Sequence, residues 1–374
     1  MGFLSNLFGK EEAVDSKEPI GSYEDFWAWF ANNEKHFYNV VKSKDNVEPE
    51  VLDKIILNLA RLHDGLFLLC GMYDDNTVEL IITTDGNIKN IVFAEEVVDA
   101  APKLDGWRFT ALKPEADEGF YITMQGYKAG DDNLHFYSNE AWEQPDEIDI
   151  VIVHDDLNED DAEAVRHATF IFLDNYLGEL AFATTIDSLS IIGRSEAEKE
   201  LRPLSELKPY LQKRHNEFVE KYDGFRKNTD EDSYSLLEAE LKNGFPLIAV
   251  VNTALLTWDR KPSHPWIAVV EFTFNGNENG MPDDDTYQLL GKIEDEILAE
   301  LHDADGYLNI GRETAKDVRS VYFACKEFRK PSKVLNKIRD QYAGNVEIDI
   351  DIYKDKYWQS FDRFIATEDD DLVN

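Results

Sequence analysis

The chain of 374 residues contains only two cysteines, Cys70 and Cys325. Each lies in an apolar run, and neither has a second cysteine at the Cys-x-x-Cys spacing. The sequence therefore provides neither a disulfide framework nor a cysteine-based zinc site. Both cysteines are expected to be small hydrophobic side chains within strands. Because this usage suits a reducing compartment, the sequence predicts a cytoplasmic protein.

Long hydrophobic runs are also missing. No stretch approaches the ~18–20 consecutive apolar residues that a membrane-spanning helix needs. The segment Met1–Lys10 lacks the basic region and the long apolar core of a signal peptide. Residue 6 is Asn, so the N-myristoylation pattern fails as well. We therefore expect no association with a membrane.

Basic residues are outnumbered two to one. The 38 lysines and arginines face 76 aspartates and glutamates, which gives a formal net charge of -38. Such a field repels the phosphate backbone of nucleic acids, which proteins bind through lysine and arginine. Nucleic acid is therefore not an expected partner. The same field attracts a basic protein or a metal cation. In the alternative interpretation the charge serves solubility alone.

The familiar catalytic motifs do not occur. There is no phosphate-binding loop, no G-x-G-x-x-G segment, no H-E-x-x-H helix and no G-x-S-x-G elbow. The eight histidines never recur at the i, i+4 spacing of a metal-binding helix. With 76 acidic residues, pairs of carboxylates arise by chance. The sequence thus assigns no catalytic residue and no cofactor, and it favours a non-enzymatic role while leaving activity open.

Two stretches imitate part of a calcium-binding loop. Asn275–Gly280 has the spacing of the first half of an EF-hand, but Thr286 stands where the bidentate glutamate belongs. Asp156–Asp160 lacks the glycine and has His167 at the final position. Neither stretch is assigned as a calcium site, and the sequence identifies no metal ligand.

The predicted fold class is α+β. We expect a flexible N-terminal segment at 1–21, an N-terminal α+β domain with a mainly antiparallel sheet at 22–222, and a linker at 223–234. A C-terminal ferredoxin-like α/β sandwich then covers 235–364, followed by an acidic tail at 365–374.

In the N-terminal domain, strands are predicted at 66–73 and 77–83, joined by a tight turn. A helix near the start of this domain places four aromatic residues on one stripe: Phe26, Trp29, Phe30 and Phe37.

The C-terminal domain has the predicted order β-β-α-β-β-α-β. Its strands are expected at about 246–257, 265–274, 307–314, 318–325 and 346–352. The second strand is apolar on both faces, so it needs cover on both sides, and we expect the N-terminal domain or a second subunit to supply one of them. The last strand alternates aliphatic residues with a row of carboxylates, which is typical of a solvated edge strand.

An ordered set of residues marks the region 265–364. In chain order it comprises Asn279, Gly280, Met281, Pro282, Glu294, Asp295, Gly311, Arg312, Glu313, Thr314, Arg319, Tyr322, Asp355, Trp358 and Phe361. With this set the region resembles the bacterial family catalogued as domain of unknown function 695. The N-terminal part from residues 26–30 through residues 71–76 is similar to the companion region of its longer members. The family has no assigned activity, so the resemblance implies none.

A fainter similarity is to the acidic protein inhibitors of ribonuclease E. Those proteins resemble ferredoxin-like sandwiches with a Gly-Trp pair near the last strand and an acidic tail. Here Trp358 and the acidic run 368–371 fit, but Tyr357 rather than glycine precedes the tryptophan. The similarity suggests an inhibitor-like role.

The family positions have two interpretations. In the structural one, Gly280 and Pro282 fix a turn before a helix, and Trp358 caps the end of the sheet. Glu313 and Arg319 then face each other across a hairpin with a three-residue loop, as an ordinary ion pair.

In the functional interpretation, Arg312, Thr314 and Arg319 form a binding site.

A basic cluster runs against the overall charge near the last predicted helix. It comprises Lys326, Arg329, Lys330, Lys333, Lys337 and Arg339. These side chains either pair with the chain's own acids or contact an acidic patch of another subunit.

The leading functional hypothesis is a non-enzymatic binding or regulatory protein that engages a basic protein partner or associates with itself. The alternative is a metal-dependent hydrolase whose carboxylates hold a divalent cation.

Overall fold

The computed structural model describes residues 20–117, 119–124, 126–158 and 162–365. Almost all of the predicted flexible segment 1–21 and of the acidic tail 365–374 lies outside these residues. The calcium-like stretch Asp156–Asp160 lies partly outside them. These predictions stay as predictions.

The described residues form helices and strands in an α+β arrangement, as predicted. The helices are α1 (Tyr23–Ser43), α2 (Asp53–Leu59), α3 (Ile91–Asp99), α4 (Ala162–Leu177), α5 (Glu179–Thr185), α6 (Leu207–Tyr222), α7 (Thr253–Leu256), α8 (Asp284–Leu298) and α9 (Arg329–Tyr342). The strands are β1 (Phe67–Met72), β2 (Val78–Thr83), β3 (Trp107–Ala111), β4 (Tyr121–Met124), β5 (Tyr127–Gly130), β6 (Leu134–Asn139), β7 (Asp149–His154), β8 (Ser188–Gly193), β9 (Arg202–Pro203), β10 (Tyr234–Glu240), β11 (Pro246–Asn252), β12 (Trp266–Thr273), β13 (Tyr307–Ala315), β14 (Val318–Cys325) and β15 (Glu347–Lys354).

These strands assemble into four sheets. Their orders are β1-β2-β3, β4-β5, β8-β7-β6-β9 and β10-β11-β13-β14-β12-β15. Neighbouring strands are antiparallel except for the pairs β2–β3 and β7–β8. The prediction of mainly antiparallel sheets is confirmed.

By its internal contacts the chain divides into two compact units. One comprises the described residues up to Asp85 together with Phe93–Lys113, and the other comprises Gly86–Val92 with the described residues from Pro114 onward. The domain limits expected at 22–222, 223–234 and 235–364 stay a prediction.

The first unit packs α1 on the sheet β1-β2-β3 through aromatic rings. The helix begins where the Ser22 hydroxyl accepts a hydrogen bond from the Asp25 amide at 3.2 Å. The Trp27 and Phe109 ring centroids lie 4.5 Å apart, and Trp27 is buried. Trp29 is only half-buried. The predicted stripe is therefore right for Phe26, Phe30 and Phe37 but misses Trp27. At about 100° per residue Trp27 and Trp29 flank the stripe on opposite sides, and an i, i+3/i+4 count does not decide which flank is buried.

In the second unit, the sheet β8-β7-β6-β9 packs against α4 and α6. Phe136 and Ile150 from the sheet share a core with Phe172 of α4 and Leu207 of α6. The sequence pattern predicts strands at 132–138 and 147–153, a helix from Leu157 toward Tyr176 and a helix at about 204–222. These correspond to β6, β7, α4 and α6. It does not predict α5 or β8, whose short segments lack a strong apolar period.

The six-stranded sheet contains β12 at an interior position between β14 and β15. In chain order its C-terminal part runs β12, α8, β13, β14, α9 and β15. Within the sheet, the strand pairs β13–β14, β14–β12 and β12–β15 are all antiparallel. Strand β10 extends the sheet at the other edge and was not predicted, since exposed residues such as Leu236 blur its pattern. The ferredoxin-like description of this region stays a prediction.

The two faces of this sheet are covered by different parts of the chain. Helices α8 and α9 cover one face, which we call the helix face. The opposite face packs Ile267 and Val269 against α7 and against a short 3-10 helix at 359–364. Trp358, Phe361 and Phe364 are all buried there. We expected the N-terminal domain or a second subunit to cover this face, but the chain's own C-terminal segment covers its apolar part around Ile267 and Val269.

A β-bulge in β13 explains why position 311 is glycine. The register between β13 and β14 shifts between Asn309 and Gly311, and Gly311 has φ +143°. A Cβ atom there would overlap the Val250 carbonyl of the neighbouring strand. Only glycine fits both the backbone angle and the space.

We predict that Gly311→Ala lowers the free energy of unfolding by about 2 kcal/mol or more, because backbone strain of this kind costs about 1–3 kcal/mol before the overlap is added. Thermal unfolding followed by circular dichroism measures this. The control is Gly291→Ala in α8, where a Cβ meets nothing within 4 Å. That substitution should raise stability slightly. An unchanged melting temperature for Gly311→Ala would show that the bulge is not strained.

Candidate functional site

Four of the family positions meet on the helix face. Glu294 of α8 accepts hydrogen bonds from Arg312 Nη1 at 2.5 Å and from Arg319 Nη1 at 3.0 Å. Arg319 Nε donates to Thr314 Oγ1 at 3.1 Å. We call Glu294, Arg312, Thr314 and Arg319 the Glu294 cluster, and it fastens α8 to the hairpin β13–β14.

The cluster is largely removed from water. Arg319 is 3% exposed and Glu294 is 7% exposed. The Tyr287 ring lies over the Arg319 guanidinium at 5.1 Å. Burial lowers the pKa of Arg319, and the Glu294 carboxylate opposes that shift. A buried charge of this kind is stable only when it is paired, as it is here.

The predicted ion pair between Glu313 and Arg319 is wrong. The hairpin turns on two residues, Lys316 and Asp317, with φ 49° and 67°, not on a three-residue loop. The register therefore places Arg319 opposite Thr314. Glu313 lies on the other face of the sheet, because a shift of one residue reverses the side of every side chain.

The loop that precedes α8 explains the glycine of the Asn279–Pro282 segment. Gly280 has φ +68°, and its carbonyl accepts a hydrogen bond from the Asp317 amide at 3.0 Å. A Cβ at this position would lie 2.8 Å from the Lys316 Cα atom. Gly280 thus lets the loop dock on the hairpin turn, whereas Asn279 is exposed and Pro282 is half-buried.

The remaining family positions do not join the cluster. Asp295 is exposed on α8. Gly311 forms the bulge. Trp358 is fully buried on the opposite face, where its Nε1 donates to the His264 carbonyl at 2.9 Å. These contacts favour the structural interpretation for most of the positions, and any further role for them stays a prediction.

We predict that Glu294→Gln lowers the free energy of unfolding by about 3 kcal/mol, because it leaves Arg319 buried without its carboxylate. Thermal or urea unfolding measures the loss. Glu300→Gln removes a more exposed carboxylate paired with Lys337 and should lower stability much less, because exposed ion pairs contribute little. Equal losses for the two variants would mean that the Glu294 cluster adds no more than a surface pair.

A cleft of about 400 Å³ opens on the opposite face, where β12 and β15 lie side by side. We call it the acidic cleft. Its lining residues are Lys89, Val269, Glu271, Tyr322, Asp349, Ile350, Asp351, Tyr353 and Arg363.

Three carboxylates of this cleft are brought together by strand register. Glu271 lies directly opposite Asp349, and Asp351 follows two residues later on the same face. Glu271 accepts a hydrogen bond from Ser320 Oγ at 2.8 Å. Within the described residues, no lysine or arginine forms an ion pair with any of the three. Like charges directly opposite one another are destabilising, so this arrangement weakens the sheet edge.

The two cations of the cleft bind partners other than these three carboxylates. Arg363 Nη2 lies 3.1 Å from Glu313 Oε1 and 3.1 Å from the Tyr322 hydroxyl. Lys89 Nζ donates to the Ile350 carbonyl at 2.7 Å. Burial, followed by the hydrogen bond to Glu313, raises the pKa of the Tyr322 phenol, which stays neutral. The cleft therefore offers carboxylates beside tyrosine rings, a combination that suits a cationic group.

The sequence revealed part of this cleft. The carboxylate row of β15 was read as a solvated edge, and Asp349 and Asp351 are indeed exposed. Glu271 was missed, although it is the one charged residue of the otherwise apolar β12. A single charged residue in an apolar strand was the signal that could have identified Glu271 as a site residue.

Searches for two other features were negative for the part of the chain that the structure describes. No group of three or more His, Cys, Asp or Glu side chains is arranged to hold a metal ion. No helix there is long and apolar enough to cross a membrane.

Comparison with known families matches one region of the chain. Residues 240–366 match the family model described as Family of unknown function (DUF695). The predicted resemblance is confirmed, and the match begins upstream of residue 265, so that it includes β11. Neither the curated proteins nor the solved structures contain a significant match to this chain. The similarity to ribonuclease E inhibitors stays a prediction.

Proposed function

We propose that the protein binds a basic protein partner and that the acidic cleft receives a lysine or arginine side chain of that partner. The observation that carries this proposal is the alignment of Glu271, Asp349 and Asp351 without an ion pair among the described residues. A cation bound there would relieve the repulsion between carboxylates that face each other across the strands.

The charge of the whole chain supports the same assignment. A net charge of -38 accelerates the approach of a basic partner and makes the complex sensitive to salt. It also disfavours nucleic acid. We place the complex in the cytoplasm, where the free thiols of Cys70 and Cys325 would remain reduced.

The hydrolase alternative lacks a specific observation in its favour, because the described residues provide no metal-binding group of three ligands. A binding or regulatory role needs no such centre.

A labelled oligolysine peptide tests the cleft directly. We expect wild-type protein to bind it in low salt, as measured by fluorescence polarisation, and Asp349→Asn/Asp351→Asn to weaken binding about tenfold, or about 1.4 kcal/mol. The matched control is Glu238→Gln/Glu240→Gln, which removes two exposed carboxylates from β10 at the other edge of the same sheet.

Comparison with the β10 double variant distinguishes binding in the acidic cleft from attraction by the net negative charge of the chain. If both double variants lose the same affinity, the peptide responds only to total charge and the cleft has no special role. A pull-down from host lysate then applies the same variants to natural partners. The proposal expects a basic protein that high salt elutes, that the β10 variant retains and that the cleft variant loses.

A further inference from the structure

A second cleft, of about 270 Å³, lies within the second unit among α5, α6 and the ends of β12, β14 and β15. We call it the cationic cleft. Its lining residues are Ile148, Leu180, Thr184, Thr185, His215, Phe218, Val219, Pro265, Trp266, Lys326, Glu327, Phe328, Arg329, Lys354 and Lys356. It shares no lining residue with the acidic cleft.

The lining is basic in a chain that is strongly acidic. Its four cationic side chains are Lys326, Arg329, Lys354 and Lys356. The carboxylate in this lining, Glu327, is engaged at the start of α9: it accepts hydrogen bonds from the Tyr307 hydroxyl at 2.6 Å and from the Arg329 amide at 2.7 Å. It is therefore occupied by backbone and phenol donors.

Two of the lysines pair with the same carboxylate, that of Asp187. Lys354 Nζ lies 2.7 Å from Asp187 Oδ1, and Lys356 Nζ lies 2.7 Å from Asp187 Oδ2. Lys354 also donates to the Thr184 carbonyl at 2.7 Å and to the Thr185 carbonyl at 3.2 Å, and Lys356 donates to the Asp146 carbonyl at 2.6 Å. Both ammonium groups are thus held in fixed positions.

Carboxylates also lie near the cations of the cleft, and Lys326 is the cation they leave without an ion pair among the described residues. Burial lowers the pKa of Lys354 to about 8, with Asp187 and Glu147 opposing the shift. Asp146 likewise opposes the shift of Lys356. With Glu327, four carboxylates therefore lie near the four cations of the lining, and Asp146 is itself paired with Lys221. Within the described residues, Lys326 forms no ion pair, and its Nζ lies 5.6 Å from the centroid of the Tyr307 ring.

The floor of the cleft is apolar. Phe218 lies 4.4 Å from Lys356 Nζ, and Trp266 lies 5.9 Å from Lys354 Nζ, as measured to the ring centroids. Burial, reinforced by the two lysines, lowers the pKa of His215 and keeps its imidazole neutral. The volume falls just below the range of ~300–1,000 Å³ typical of sites for drug-sized molecules, so the cleft suits a smaller ligand.

We propose that the cationic cleft binds a small organic anion, with one carboxylate or phosphate group on an aromatic or branched apolar body. The anionic group lies against Lys326 and Lys356, because the three donors of Lys354 are already occupied, and the body packs on Phe218 and Trp266. Charged hydrogen bonds to preorganised ammonium groups fix the orientation, and the apolar floor supplies the contact area.

Four probes of similar size test this with the full-length protein. Phenylacetate and phenyl phosphate carry the anion, 2-phenylethanol is the neutral counterpart, and phenethylamine is the cationic one. In saturation-transfer NMR and calorimetry, we expect at least one anion to bind about tenfold more tightly than the other two classes. A preference between the anions identifies the group the site prefers.

Variants locate the binding. Lys326→Ser should weaken the anion about fivefold or more without lowering the melting temperature, and Val219→Trp at the half-exposed rim should block the cleft by filling it. Lys213→Ser removes an exposed charge from α6 outside the lining and should leave affinity unchanged. The proposal is overturned if neither anion binds, if all four probes bind alike, or if Lys213→Ser matches Lys326→Ser.

Discussion

The requirement to cover both faces of β12 organises the C-terminal part of the molecule. The strand is apolar on both sides from Trp266 to Val270, and it lies inside the sheet between β14 and β15. Helices α8 and α9 shield one side, and the segment from Trp358 to Phe364 shields the other. The Glu294 cluster holds α8 in place over the hairpin.

Both clefts lie at the ends of this strand. Trp266, its first residue, forms part of the floor of the cationic cleft, and Glu271, near its last, belongs to the acidic cleft. The opposite charges of the two clefts follow in part from the residues of β15 that lie beside β12, which are Asp349 and Asp351 near Glu271 and Lys354 opposite Trp266. One antiparallel pair of strands thus presents two electrostatically different surfaces.

Local pattern predicted much of this architecture, and non-local pairing decided the rest. The alternation in β15 identified both its strand character and its acidic face, because a period of two needs no partner to be recognised. The position of Arg319 depended on the length of one turn. The predicted loop of three residues places Arg319 opposite Glu313, whereas the observed loop of two residues places its side chain on the other face, where it pairs with Glu294.

The sites were less accessible to prediction than the elements. The family positions led to the Glu294 cluster, since Glu294, Arg312, Thr314 and Arg319 all belong to them. Neither cleft was predicted. Asp187 meets Lys354 and Lys356 across almost 170 positions of sequence, and Glu271 meets Asp349 only through register. Contacts of this kind depend on tertiary structure and strand register, so the spacing of the residues along the sequence does not predict them.

The covering of β12 also has a consequence for synthesis of the chain. The segment from Trp358 to Phe364 follows every strand whose apolar face it covers. As the chain leaves the ribosome, strands β11 to β14 emerge before the residues that shield them. One side of the sheet is therefore open to water, and to other nascent chains, until these aromatic residues arrive.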